Sequence, residues 1–87
     1  MSRIIISLLR YSEELPMFQE RFLQILQERN ISAYRVAKDT GISQGLMNEY
    51  KNGVKLPTTQ NLVKIADRLD CSVDWLLGRT SRPEVIR

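Results

Sequence analysis

From Met17 onward the apolar residues recur every three or four positions, the period of an amphipathic helix. Phe18, Phe22, Ile25 and Leu26 form one stripe, while Gln19, Glu20, Gln24, Gln27 and Glu28 fall mostly outside it. The pattern predicts a first helix ending near Arg29 or Asn30. Pro16 lies just before or just inside its start, where a missing N–H costs nothing. Ser32 is placed to cap a short second helix, Ala33 to about Asp39, with Val36 and Ala37 facing inward. Gly41 breaks that helix, and Ser43 caps a third running through Tyr50. Asn52-Gly53 punctuates again and Pro57 closes a short loop. Thr58 or Thr59 caps a fourth helix with Leu62, Ile65, Ala66 and Leu69 inside. Ser72 caps a last short helix carrying Val73, Trp75, Leu76 and Leu77, with Gly78 as its stop. The expectation is an all-α globule of five short helices over residues 17–78, followed by a polar tail, 79–87.

Residues 1–16 do not continue this pattern. Ile4, Ile5, Ile6, Leu8 and Leu9 make a short apolar run with Arg10 directly after it. The run is short for a secretory h-region and lacks a small-x-small cleavage site, and no stretch is long enough to span a membrane. A soluble, cytoplasmic protein is expected. The β-branched isoleucines favour an extended arm, whose unpaired backbone groups would need a partner strand. The same arm in a twofold dimer and the tail around Val85 and Ile86 are the two candidates. A helical extension and an irregular arm are the alternatives.

With 87 residues and 10.1 kDa there is material for one domain. Thirteen Lys+Arg against ten Asp+Glu give a net charge of +3, which permits a polyanionic partner without establishing one. Histidine is absent and cysteine occurs once. This removes histidine-based triads, His/Cys zinc clusters and an internal disulfide. Cys71 suits a reducing compartment and reads as a small core residue. No cofactor is expected, and an enzyme would need a tight pocket around Glu49 or Asp39 for which the chain offers no wall.

The most informative constellation is the pair of short helices joined by Thr40-Gly41-Ile42-Ser43. A helix that must cross another steeply, with its outer face free to enter a major groove, makes definite demands. It needs a tiny residue at the crossing, Ala37, and a sharp turn, Gly41. It also needs an apolar plug, Ile42, and an inward residue on the third helix, Met47. A generic helical hairpin in a small bundle is the plainer reading of the same pattern. The segments SAYRVAKDTGISQGLMNEYKNG, KLP and NLVKIADRLDCSVDWLLG resemble the helix-turn-helix domain of the phage lambda repressor and Cro family. The likeness covers Phe18 to Gly78 and none of residues 1–16. It implies a five-helix fold, a DNA-reading unit formed by helices two and three, and operator binding as a dimer.

On the third helix the outer face carries Gln44, Gly45, Asn48 and Glu49, and Gln44 stands at its start. A Gln or Asn amide suits adenine N7 and N6, whereas Glu49 only accepts and would need a cytosine amine. Gly45 permits close approach, and Leu46 either meets a thymine methyl or packs on the surface. The resemblance places Gln44, Gly45 and Glu49 on the base-reading face, with Asn48 beside it. For the DNA backbone, the helix starts capped by Ser32 and Ser43 offer free N–H groups. Asn52 and Lys55 match family backbone-contact positions, and Arg35, Lys38 and Lys51 add charge nearby. From Met17 to Pro57 six basic and four acidic residues leave a net +2. Affinity would then rest on dimerisation and specific contacts, with strong salt sensitivity.

The sequence departs from the family pattern in three ways. Ala33 stands where Gln or Glu is common, and Leu46 where a small polar residue is common. Lys51 and Leu26 stand where the family usually has an acid and a base, consistent with a lost salt bridge. Two recognition helices on a twofold axis would read half-sites about 34 Å apart. Candidate dimer surfaces are the arm, through Ile4, Ile6 and Leu8, and the last helix, through Val73, Trp75 and Leu76. Trp75 has a competing duty as core filler. The leading expectation is a repressor of phage or mobile-element type that binds double-stranded DNA as a homodimer, with no effector or catalytic domain following. The other expectation is an antitoxin module gripping a toxin protein.

Overall fold

In the computed structural model, which describes residues 17–85, all regular structure is helical. Helix α1 covers residues 17–28, followed by α2 (Ala33–Thr40), α3 (Gln44–Lys51), α4 (Thr59–Leu69) and α5 (Val73–Leu76). The arm with Ile4, Ile6 and Leu8, and Ile86 of the tail, lie outside the described residues. Among the described residues no helix is long and apolar enough to cross a membrane.

The N-terminal caps follow local chemistry. Ser32, Ser43, Thr58 and Ser72 each have extended backbone, and each side-chain oxygen accepts from an N–H three residues on, at Arg35, Leu46, Asn61 and Trp75. Each such cap contributes about 1 kcal/mol by satisfying an N–H that the helix cannot. Of the two threonines open to cap α4, Thr58 takes the role. Helices α2 and α3 each run one residue past expectation. In α2, the Thr40 hydroxyl donates back to the Val36 carbonyl at 2.7 Å while its oxygen accepts from the Ile42 N–H at 3.4 Å.

A positive-φ residue follows each of the five helices: Gly41 and Asp70 cap α2 and α4 directly, while Asn30, Gly53 and Gly78 come two residues after the last residue of α1, α3 and α5. After α1, Ile31 N–H donates to Leu26 at 3.0 Å and Asn30 N–H to Gln27 at 3.1 Å; after α4, Cys71 and Asp70 repeat the pattern on Ala66 and Asp67. These paired bonds absorb carbonyls that would otherwise be orphaned and reverse the chain abruptly, so loops stay short.

One core is shared by all five helices. Phe18, Phe22, Ile25 and Leu26 from α1 meet Val36 and Ala37 from α2, Ile42 from the turn and Met47 and Tyr50 from α3. Leu62, Ile65, Ala66 and Leu69 of α4 join them, with Cys71, Trp75 and Leu76. The Phe18 and Phe22 rings stack at 5.4 Å. Burial pushes the Cys71 thiol up to about 11, so it stays protonated at neutral pH, as a core residue should.

Trp75 settles its two competing duties in favour of the core. It is 3% exposed, and the Arg21 guanidinium lies 4.7 Å from its ring centroid. Leu76 is 0% exposed. Truncating a buried Trp costs about 3–5 kcal/mol, a large share of what so small a domain has. The side chains of Trp75 and Leu76 are therefore not surface available to a second subunit; of the three dimer candidates on α5, only Val73 is partly exposed.

The chain does not leave the body at Gly78. Arg21 donates to the carbonyls of Trp75 at 2.9 Å and Thr80 at 3.2 Å, and Ser72 N–H donates to the Pro83 carbonyl at 2.8 Å. The polar tail is thus held as far as Pro83.

Gly41 isolates the backbone requirement. Its φ is +79°, and a Cβ built on it would meet nothing within 4 Å. A side chain there costs backbone strain alone, so Gly41→Ala should destabilise by about 1–2 kcal/mol and Gly41→Asn by less. Urea denaturation of the three proteins checks this; equal losses for Ala and Asn would contradict it.

Candidate nucleic-acid interface

Helix α3 is divided sharply between two surroundings. Met47 and Tyr50 are each 1% exposed, whereas Gln44, Gly45 and Asn48 are exposed. Leu46 and Glu49 are half-buried at the edges, and Leu46 packs partly against the core. The inner face is locked: Asn61 Nδ2 of α4 donates to the Tyr50 hydroxyl at 2.9 Å. An isolated eight-residue helix would be marginal in water, so this burial and the Ser43 cap keep the outer face presented in one orientation.

Between α2 and α3 the chain turns at Gly41, whose N–H donates to the carbonyl of the buried Ala37 at 2.9 Å. Ile42 fills the space beneath the turn at 7% exposure. The result brings Gln44 onto α2, where its Nε2 donates to the Tyr34 carbonyl at 3.1 Å. One amide hydrogen is thereby used, leaving one N–H and the oxygen. That pair matches the acceptor and donor of an adenine edge.

After α3 the chain folds back on itself. Val54 N–H donates to the Glu49 carbonyl at 2.9 Å, and Gln19 Nε2 of α1 donates to the Lys51 carbonyl at 3.1 Å. Asn52 and Lys55 are exposed on this loop, together with Lys51, Val54 and Leu56. Ser32 and Ser43 are exposed at the starts of α2 and α3. The surface therefore gathers Ser43, Gln44, Gly45 and Asn48 along one helix edge, with Asn52 and Lys55 beyond its end. Leu26 is buried at 7% exposure while Lys51 is exposed, so this pair is accommodated with its charge outside.

Arg35 stands apart from Lys38. Four residues separate Tyr34 from Lys38 and also Arg35 from Asp39, so each pair shares a flank of α2. Asp39 accepts from Arg68 of α4 at 2.7 Å and from Arg35 at 3.2 Å, which turns the Arg35 flank toward α4. Gln44 reaches the Tyr34 carbonyl, which places the start of α3 beside the other flank. Sequence periodicity did not reveal the Asp39–Arg68 pair, because its partners lie 29 residues apart. Tyr34 was also passed over, although its place off the Val36–Ala37 stripe was a signal that it faces outward.

The hydrogen bond from Arg68, with Arg35 adding to it against desolvation, holds the Asp39 carboxyl below its ordinary value of 3.8. A depressed carboxylate contributes stability that is present above the ordinary value and is lost as pH falls through the lower, folded value. Asp39→Asn should be less stable than the parent at pH 7, and the difference should close on acidification below 3.8. Urea melts of both proteins over a falling pH series check this; a gap that never narrows below 3.8 would contradict it.

Residues 21–80 match the family of Cro/C1-type HTH DNA-binding domains. Among curated proteins, the chain is 39% identical over 66 residues to the cryptic phage CTXphi transcriptional repressor RstR of Vibrio cholerae, covering 76% of this chain and 59% of that protein. It is 29% identical over 68 residues to the uncharacterized HTH-type transcriptional regulator YobD of Bacillus subtilis, covering 78% of this chain and 61% of that one. The chain thus matches about three-fifths of the length of these relatives. No solved structure matches it significantly.

Proposed function

Because the chain belongs to the family of Cro/C1-type helix-turn-helix DNA-binding domains, we propose that it is a transcriptional repressor. It binds a pseudo-palindromic operator in double-stranded DNA as a homodimer. The observation that carries this reading is the exposed polar edge of α3, Gln44, Gly45 and Asn48, on a helix whose opposite face is entirely buried. The name of the Vibrio relative, a transcriptional repressor, supports the direction of regulation.

In this reading the start of α3 enters the major groove. Gln44 and Asn48 present amides to base edges, and Gly45 lets the helix come close. Glu49, at the edge of the face, accepts from a cytosine amine, and the exposed part of Leu46 meets a thymine methyl. Backbone phosphates are held by the N–H groups at the Ser32 and Ser43 caps, by Asn52, and by Lys38, Lys51 and Lys55. Two protomers on a twofold axis read half-sites about 34 Å apart, and occupancy excludes polymerase from the promoter. Val73, with the neighbouring exposed Leu77, is the remaining apolar surface of α5 for such a dimer. No reaction is catalysed.

Selection from random duplexes at physiological salt should recover a preferred, pseudo-palindromic sequence. Gln44→Ala and Asn48→Ala should lose that preference while keeping the helical circular dichroism of the parent. Recovery of no preferred duplex sinks the reading. Lys55→Ala should instead weaken binding to all duplexes about equally and reduce the slope of log affinity against log salt by about 1.

A further inference from the structure

Among the described residues the Tyr34 side chain makes no polar contact. It lies on the first turn of α2, immediately past the half-buried Ala33, and is 63% exposed. Among the described residues its hydroxyl has no hydrogen-bond partner. An aromatic of this size gains little from standing in water, and the adjacent Arg35 is turned to the opposite flank by Asp39 and Arg68. Tyr34 shares its flank with Lys38, and its own carbonyl receives the side chain of Gln44, the first residue of α3. The Tyr34 backbone is thus tied to the start of the base-reading helix, and its exposed phenol stands on the helix that crosses the sugar–phosphate backbone when α3 occupies the groove.

We propose that the Tyr34 hydroxyl is a DNA phosphate contact, an uncharged donor that raises affinity without adding to salt dependence. This rests on the DNA-binding reading above. A phenol offers one O–H donor at the end of a rigid ring, suited to a phosphate oxygen that α2 passes over. Because it brings no positive charge, its contact displaces no counterion, unlike that of Lys38 or Lys55. Its contribution is also indifferent to base sequence, since phosphates carry no code. A ring packed on a base would behave oppositely: it would depend on sequence and would survive loss of the hydroxyl.

The test compares Tyr34→Phe, Tyr34→Ala and the parent chain on a duplex recovered by selection and on a scrambled duplex of equal length, across a salt series. The expected result is that Tyr34→Phe binds both duplexes at least about tenfold more weakly. Its salt slope should equal that of the parent, and Tyr34→Ala should lie within about twofold of Tyr34→Phe. The parental melting temperature of Tyr34→Phe, expected for so exposed a side chain, separates this loss from misfolding. Parent-like affinity of Tyr34→Phe overturns the assignment, as does a loss confined to the selected duplex or a shallower salt slope. In those cases the parent still binds selectively, so the DNA-binding reading stands. A parent chain that prefers no duplex overturns both.

Discussion

What faces outward from this domain depends on the turn that joins α2 to α3 and on the buried residues beside it. Ala37, in the last turn of α2, is 1% exposed. The bond from the Gly41 N–H to its carbonyl then sends the chain straight into the Ser43 cap, with Ile42 closing the space beneath. The two helices are close enough for Gln44 to reach the Tyr34 carbonyl at 3.1 Å, a bond that ties a surface side chain of one helix to the backbone of the other. A larger residue at this buried position would disturb the packing beside the turn and, through it, the bond that Gln44 makes. Core packing and the geometry of the reading face are in this sense one constraint.

The basic residues divide their labour by type. From Met17 to Pro57 the arginines are structural. Arg21 holds the Trp75 and Thr80 carbonyls and covers the Trp75 ring, Arg29 donates to Leu69 and Asp70 at the end of α4, and Arg35 is paired with Asp39. The lysines of the same stretch, Lys38, Lys51 and Lys55, are exposed. A planar guanidinium with several fixed donors suits two carbonyls at once, whereas a flexible ammonium suits a phosphate that moves with its counterions. The positive surface that this stretch offers an anionic partner is therefore carried by its lysines.

What the sequence made legible was local. Ser32, Ser43 and Ser72 could be placed as caps because an N-cap depends on one side chain and an N–H three residues away. The apolar stripes of α1 and α4 follow from the helical period alone. Pairings across the chain left no such trace. Asp39 with Arg68, Arg29 with the end of α4, and Asn61 with Tyr50 each join residues far apart in sequence that periodicity treats as unrelated. The face of α3 was readable because Met47 and Tyr50 mark its inner side; the two flanks of α2 were not, because only the ion pair to α4 tells them apart. Trp75 was ambiguous because an aromatic on a short apolar helix suits a core and an interface equally. The Arg21 contacts decide between them.

The grip of α1 on the other end of the chain also bears on topology. Met17 lies against Gly78, where an added Cβ would stand 2.5 Å from the Met17 side chain, and Arg21 holds Thr80 two residues further on. The points where the backbone enters and leaves the helical body are therefore neighbours, as they are in many domains that tolerate circular permutation. A short linker across them would make the body a closed ring, in which new termini opened in an exposed loop would leave the packing of the five helices unchanged.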